Sequence, residues 1–237
     1  MKKPQLIVAL DFDSGMKARE LCQKLRGVVS YYKVGPALYL QEGPDIIKFL
    51  RGLGVKIFLD LKLFDIPSTV LRTAFEIGRL EVDMFTVHAM GGGEMIRAAV
   101  EGALEGSRHA KTTPPAILGV TLLTSWNEKV LEEVGISLPV EERVLQLAQL
   151  TLNAGAEGVI AAGENVAVLR KELGDQCLIV VPGVRLRGSQ KDDQQRIVTP
   201  KDLVRSGADY FVMGRPIIAA AEPLKAAREV IENLASD

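Results

Sequence analysis

Residues 55–69 read Val-Lys-Ile-Phe-Leu-Asp-Leu-Lys-Leu-Phe-Asp-Ile-Pro-Ser-Thr, an apolar run followed by charged side chains and a turn. The run 55–59 is typical of a buried β-strand. Because side chains alternate along a strand, we expect Asp60 and Lys62, which follow the run, to point the same way. Asp65 comes just before the turn. The stretch therefore predicts a strand that ends with an ammonium group beside one carboxylate and within reach of a second.

The charged trio Asp60, Lys62 and Asp65 has two interpretations. A neighbouring carboxylate favours the charged form of a lysine, so Lys62 is expected to stay protonated and to serve as a proton donor. The alternative is a surface ion pair at the end of a strand, which contributes little to stability. The position at the carboxyl end of a buried strand favours catalysis.

The pattern of a short apolar run followed by an amphipathic stretch repeats along the chain. The predicted strands are residues 6–10, 31–34, 55–59, 84–87, 116–121, 158–161, 178–181 and 210–213. The predicted helices are residues 14–25, 44–53, 69–80, 95–106, 139–154, 165–173, 200–206 and 223–234. Such alternation is typical of parallel strands with crossover helices. Eight units without a linker predict one α/β domain over residues 1–237, a closed (β/α)8 or TIM barrel.

A doubly wound open sheet is the alternative fold. It usually has a Gly-x-Gly-x-x-Gly turn after its first strand. Here the first predicted strand runs into Asp11-Phe-Asp13 instead, which favours the barrel.

A barrel places its chemistry at the carboxyl ends of the strands, and polar residues fall at those positions. Asp11 and Lys33 are expected to face the barrel mouth, as ligands of a sugar hydroxyl or as a structural ion pair. Thr124 and Ser125 can offer hydroxyl groups to a polar heterocycle, or cap the segment that follows them. His88 has no partner at metal-ligand spacing, and a structural role is favoured.

Two segments near the C-terminus indicate phosphate binding. Gly214 and Arg215 follow the last strand, where barrels commonly bind phosphate, and this function is favoured over a pairing of Arg215 with a surface acid. The polar loop 183–199, preceded by Pro182, is a candidate lid that carries Arg185 and Gln194. A loop without such a function is the alternative.

Composition excludes several classes of protein. The formal net charge is −1, with 47% apolar and 25% charged residues, and no basic block indicates nucleic-acid binding. No apolar stretch is long enough to span a membrane, and the N-terminus does not resemble a signal peptide. Cys22 and Cys177 are isolated, so we expect a reduced, cytoplasmic protein without a disulfide framework.

Taken together, these motifs resemble the orotidine 5′-phosphate decarboxylases of the bacterial type over essentially the whole chain. The matching elements are Leu10-Asp11, Lys33-Val-Gly35, residues 60–69, His88-Ala-Met-Gly-Gly, Val120-Thr-Leu-Leu-Thr-Ser125, Pro182-Gly-Val-Arg185, Gln194 and Gly214-Arg-Pro216. Phe64 and Ser68 stand where the family often has histidine and asparagine. Neither departure affects a charged position.

The resemblance implies decarboxylation of orotidine 5′-monophosphate to UMP and CO2, the last step of pyrimidine nucleotide synthesis, without metal or organic cofactor. It implies that Lys62 is the proton donor and that Asp60 lies against the substrate carboxylate. The remaining implied contacts are Asp11 and Lys33 with the ribose, Thr124 and Ser125 with the pyrimidine, Arg185, Gln194, Gly214 and Arg215 with the phosphate, and Ile66, Pro67 and Pro182 with other parts of the substrate. Asp65 and Thr69 are expected to reach the partner's site in a homodimer.

Two rival functions remain open at this point. A 3-keto-L-gulonate 6-phosphate decarboxylase or hexulose-phosphate synthase has a similar Asp-x-Lys-x-x-Asp barrel but depends on Mg²⁺. A sensor of phosphate ligands would keep the barrel without the chemistry.

Overall fold

The computed structural model describes residues 3–184 and 199–234. Eight parallel strands close into a barrel in chain order, with β1 pairing with both β2 and β8. The strands are β1 (Gln5–Ala9), β2 (Tyr31–Val34), β3 (Lys56–Leu63), β4 (Met84–His88), β5 (Ala116–Val120), β6 (Gly158–Ile160), β7 (Leu178–Val181) and β8 (Tyr210–Met213). The predicted barrel is confirmed.

Helices surround the barrel. They are α1 (Gly15–Lys24), α2 (Pro36–Glu42), α3 (Pro44–Gly52), α4 (Pro67–Arg79), α5 (Gly92–Ala110), α6 (Glu128–Glu133), α7 (Val140–Asn153), α8 (Val166–Leu173), α9 (Pro200–Ser206), α10 (Arg215–Ile218) and α11 (Pro223–Asn233). The sequence did not predict α2 and α6, which have seven and six residues. Within the described residues, no helix is both long and apolar enough to cross a membrane.

Strand β3 is longer than predicted and irregular. It continues past residue 59 to Leu63, and between Leu59 and Leu63 it advances four residues while β4 advances two. Lys62 has a φ of 52°, in the left-handed region that an L-residue adopts at a cost of about 1–2 kcal/mol. The expected closeness of Lys62 and Asp60 is confirmed, but regular alternation along a strand is not what produces it.

Two layers of apolar side chains hold the barrel together. Inward-facing residues such as Ile7, Phe58 and Leu118 fill the barrel interior, and outward-facing residues such as Leu59 and Phe85 pack against the helices. Because the apolar filling occupies the interior, polar side chains that face inward gather at the carboxyl ends of the strands.

Three carboxylates reinforce the opposite, amino-terminal end of the barrel. Each belongs to the residue just before an even-numbered strand, and each accepts a hydrogen bond from the backbone N–H of the preceding strand. The pairs are Asp83 with Ile57 at 2.8 Å, Glu157 with Ile117 at 2.7 Å, and Asp209 with Ile179 at 2.9 Å. Ser30 occupies the corresponding position before β2, and its hydroxyl accepts a hydrogen bond from the Gln5 side chain instead.

Replacing Asp209 with alanine should destabilise the protein without changing its activity. Arg170 donates to the Asp209 carboxylate at 2.6 Å, and the two side chains are 17% and 13% exposed. Removing one partner of a buried ion pair leaves the other charge uncompensated, so we expect a loss of about 3 kcal/mol in the free energy of unfolding. Urea denaturation measures it.

Asp45→Ala is the matched control, since this exposed carboxylate pairs with Lys48, three residues away on the surface. Its unfolding midpoint should equal that of the unmodified protein. Equal midpoints for Asp209→Ala and Asp45→Ala would contradict the structural role of Asp209.

Candidate active site

A cavity of about 370 Å³ opens at the carboxyl ends of the strands. Its apolar lining includes Phe58, Val120, Ile160, Val180 and Val212. The polar site residues predicted from the sequence that line it are Asp11, Lys33, Asp60, Lys62, Thr124, Ser125 and Arg215, and the predicted Pro182 and Gly214 line it as well. The structure thus brings together residues from seven of the eight strand ends or the loops that follow them.

Charges of alternating sign cross the cavity from β1 to β3. The Lys33 ammonium lies 3.1 Å from an Asp11 carboxylate oxygen and 3.5 Å from Oδ2 of Asp60. The Lys62 ammonium donates to the same Asp60 oxygen at 2.8 Å. Asp11 and Lys33 therefore form an ion pair and also line the cavity, and their role as ligands of a sugar hydroxyl stays a prediction.

Asp60 is the buried centre of this array, with only 7% of its surface exposed. Burial opposes its ionisation, but Lys33, Lys62 and a hydrogen bond from Thr86 outweigh burial and hold the pKa of Asp60 below its ordinary value of 3.8. A carboxylate whose pKa falls on folding stabilises the protein above its unfolded pKa, and the effect is lost as the pH drops through the lower folded pKa. Asp60 is therefore ionised throughout the neutral range.

Two glycines lie beside the Asp11–Lys33 pair. A Cβ atom at position 35 would lie 3.4 Å from the Lys33 ammonium and 3.5 Å from Asp11 Oδ1, and one at position 214 would lie 3.4 Å from Asp11 Oδ2. These distances are ordinary van der Waals contacts, so space alone does not require glycine at either position.

His88 ends β4 above the array. Burial, followed by the charge of Lys62, lowers the pKa of His88 below 6.5, so its imidazole is neutral at pH 7. Its ring packs at a tilt against Phe64, with centroids 5.6 Å apart. These contacts support the structural role that the sequence favoured.

Comparison with known proteins places this barrel in one family. The family model described as "Orotidine 5'-phosphate decarboxylase / HUMPS family" matches residues 4–230. A protein named orotidine 5′-phosphate decarboxylase from Syntrophotalea carbinolica is 44% identical over 234 residues, which cover 99% of this chain and 96% of the relative. The protein of the same name from Carboxydothermus hydrogenoformans is 45% identical over 230 residues, with 97% and 95% coverage.

The chain belongs to the orotidine 5′-phosphate decarboxylase / HUMPS family. A solved structure of orotidine 5′-phosphate decarboxylase from Lactobacillus acidophilus superposes with a TM-score of 0.87 at 36% identity, covering 98% of this chain and 100% of that one. The resemblance inferred from the motifs is confirmed.

Four predicted residues of this family member lie outside the cavity, around the start of α4. The Asp65 carboxylate accepts a hydrogen bond from the Ile66 backbone N–H at 2.7 Å, and Ile66 is 63% exposed. Pro67 begins α4, and the Thr69 N–H donates to the Ile66 carbonyl. Among the ion pairs of the described residues, Lys62 pairs with Asp60 and not with Asp65. The reach of Lys62 to a second carboxylate stays a prediction.

Two phosphate-binding predictions, Arg185 and Gln194, lie outside the described residues. The same is true of residues 185–198 of the predicted lid. Its flanks are described: Gly183 has a φ of 71° and lines the cavity, and Thr199 caps α9.

Sequence reasoning missed Thr86. This residue is fully buried in β4, and its hydroxyl contacts both Asp60 and the backbone of Lys62. The available signal was a threonine at an inward-facing position of β4, two residues after Met84, in a strand that otherwise reads as apolar.

Metal ligands are a separate question. Among residues 3–184 and 199–234, no three His, Cys, Asp or Glu side chains come together as a metal site would require.

Proposed function

We propose that this chain decarboxylates orotidine 5′-monophosphate to UMP and CO2. The observation that carries the proposal is the alternating row of charges that ends in Lys62, set at the mouth of a cavity with an apolar lining. Relatives that are 44–45% identical over nearly their full length bear the name of this activity.

The reaction breaks the bond between C6 of the pyrimidine and its carboxyl carbon. The electron pair stays on C6, in an orbital that the ring cannot delocalise, and CO2 leaves as a neutral molecule. The Lys62 ammonium stabilises this charge and donates a proton to C6, which forms the C–H bond of UMP. The resulting neutral amine then regains a proton from solvent.

Asp60 acts on both the substrate carboxylate and Lys62 before the bond breaks. Its ionised carboxylate would lie against the carboxylate of the bound substrate, an unfavourable contact that is relieved as CO2 departs. Asp60 also holds the Lys62 ammonium at 2.8 Å, which keeps the proton donor in place. Lys33 completes the array at 3.5 Å from Asp60.

The remaining cavity residues fit the rest of the nucleotide. Asp11 and Lys33 offer charged hydrogen-bonding groups to the ribose hydroxyls. Thr124 and Ser125, in the loop after β5, offer hydroxyls to the pyrimidine.

The phosphate would lie at the side of the cavity formed after β7 and β8. Gly214 and Arg215 line it there, next to Pro182. The arginine guanidinium matches the geometry of phosphate oxygens. We assign Arg185 and Gln194 to the same group, on a lid that closes over the phosphate. Binding energy from this remote group can then be used at the transition state.

We also propose a homodimer. Phe64 and Ile66 are large apolar side chains that are 62% and 63% exposed on either side of Asp65, beside the cavity. A second copy of the chain would cover them. Asp65, Ile66, Pro67 and Thr69 would then contribute to the partner's site.

We propose that all 237 residues form one domain in the cytoplasm, without nucleic-acid or membrane partners. Both cysteines, Cys22 and Cys177, are buried and free of disulfides, as a reducing compartment would allow.

The test is ultraviolet absorbance of orotidine 5′-monophosphate incubated with purified protein, with and without EDTA. We expect the orotate absorbance to give way to that of UMP at the same rate in both samples. Turnover only in the sample without EDTA would contradict the cofactor-free mechanism. No turnover in either sample, with tight binding of UMP, would favour the sensor.

A further inference from the structure

We propose that Thr86 is a positioning residue of the decarboxylase, whose hydroxyl fixes both Asp60 and Lys62 in their working geometry. The inference rests on the proposed roles of these two residues. Thr86 lies on β4, the strand next to the one that carries Asp60 and Lys62.

The hydroxyl of Thr86 bridges the two charged residues. It donates to Oδ1 of Asp60 at 2.9 Å and accepts a hydrogen bond from the backbone N–H of Lys62, also at 2.9 Å. The lysine ammonium groups bind the other carboxylate oxygen, Oδ2. The threonine therefore completes the set of partners of Asp60 and fixes the rotation of its carboxylate.

The bond to Lys62 matters because the backbone is irregular there. The register of β3 against β4 shifts between Leu59 and Leu63, and Lys62 has a φ of 52°. Regular strand pairing is interrupted at this point, and the Thr86 hydroxyl takes the N–H of Lys62. Unusual backbone conformations persist only where the surroundings hold them. Thr86 is such a support, since it is fully buried on the adjacent strand.

A hydroxyl is suited to this double contact. It has one hydrogen to donate and lone pairs to accept with, so one atom serves a carboxylate and an amide together. Valine has nearly the same shape as threonine but has neither function. Thr86→Val therefore removes both bonds while keeping the volume of the side chain.

We expect Thr86→Val to lower kcat by roughly 100-fold, because a small displacement of reacting groups has an effect of that order. KM should change less than about threefold, since the proposed ribose and phosphate contacts lie elsewhere. Thr86→Ser keeps the hydroxyl and should stay within about threefold of the unmodified protein in kcat. Thr151→Val is the matched control, because the hydroxyl of that equally buried threonine on α7 donates to the Leu147 carbonyl of its own helix, away from the charged array.

The pH profile separates positioning from general destabilisation. Asp60 faces Lys33 from β2, Lys62 from its own strand, and Thr86 and His88 from β4, with Asp11 beyond Lys33. Removing the Thr86 donor raises the pKa of Asp60, so the acidic limb of kcat/KM should move to higher pH in Thr86→Val. It should not move in Thr86→Ser or Thr151→Val.

A further readout does not depend on turnover. The Lys62 amide should exchange its hydrogen at least about tenfold faster in Thr86→Val than in Thr86→Ser, as measured by NMR, because the variant lacks the acceptor. If the unmodified protein does not decarboxylate orotidine 5′-monophosphate, the proposed function fails, and this exchange rate still decides the role of Thr86.

Three results would overturn the proposal. One is a folded Thr86→Val protein with kcat within threefold of the unmodified protein and an unmoved acidic limb. Another is a loss in Thr86→Ser as large as that in Thr86→Val. The third is an unchanged exchange rate of the Lys62 amide. If Thr86→Val does not fold, Thr86→Cys takes its place with the same expectations in direction, because a thiol is a weak donor and acceptor.

Discussion

Lys62→Ala loses decarboxylation almost completely, with kcat lower by about 10⁴-fold or more, because one substitution removes both the proton donor and the cation beside C6. Binding of UMP should weaken only partly, since the proposed phosphate and ribose contacts at Arg215, Asp11 and Lys33 remain. Ultraviolet absorbance measures turnover, and titration calorimetry with UMP measures binding.

Lys48→Ala is the control for the loss of a lysine. Lys48 is an exposed residue whose ammonium pairs with Asp45 on the same helix. Its replacement should leave turnover and UMP binding unchanged. Near-normal turnover in Lys62→Ala would mean that another group delivers the proton, and the assignment of Lys62 would be wrong.

Mixing two inactive variants should restore activity. We expect Lys62→Ala and Asp65→Ala each to fall below about 1% of normal turnover. In the proposed dimer each site takes Lys62 from one chain and Asp65 from the other, so a mixed dimer contains one intact site. Random exchange of subunits should then give about a quarter of normal activity, because half of the dimers are mixed and half of their sites are intact.

The matched control is a mixture of Lys62→Ala with the double variant Lys62→Ala/Asp65→Ala. No combination of these chains contains Lys62, so the mixture should stay inactive. Failure of the first mixture to recover, after exchange of subunits has been verified, would show that Asp65 does not act across an interface.

Much of the architecture could be predicted from the sequence because the pattern of an apolar run followed by an amphipathic stretch is local and repeated. Most strands are short, mainly apolar runs, and most are followed within two residues by a polar or turn residue. Strand 31–34 was predicted with the bounds that the structure has, and so were strands 178–181 and 210–213. The placement of Asp11, Lys33 and Asp60 around one cavity follows from the barrel, which brings together the carboxyl ends of all its strands.

The details that were missed depend on contacts between segments far apart in the chain. The left-handed backbone at Lys62 results from the register of β3 against β4, which no short stretch specifies. The role of Thr86 depends on which carboxylate lies beside it on another strand, 26 residues away. The outward direction of Asp65 depends on where α4 begins, and the start of a helix is among the least certain features to predict.

At the amino-terminal end of the barrel, the side-chain hydrogen bonds between neighbouring strands differ in strength. Charge-assisted bonds of Asp83, Glu157 and Asp209 tie β3 to β4, β5 to β6, and β7 to β8. Between β1 and β2, the neutral hydroxyl of Ser30 accepts a hydrogen bond from the Gln5 side chain instead. Neutral hydrogen bonds have about half the strength of charge-assisted ones. We expect local unfolding between β1 and β2 to cost less free energy than between the three strand pairs that a carboxylate joins. Strands β3 and β4, which carry Lys62 and Thr86, are one of the three carboxylate-joined pairs and should therefore stay paired during such unfolding.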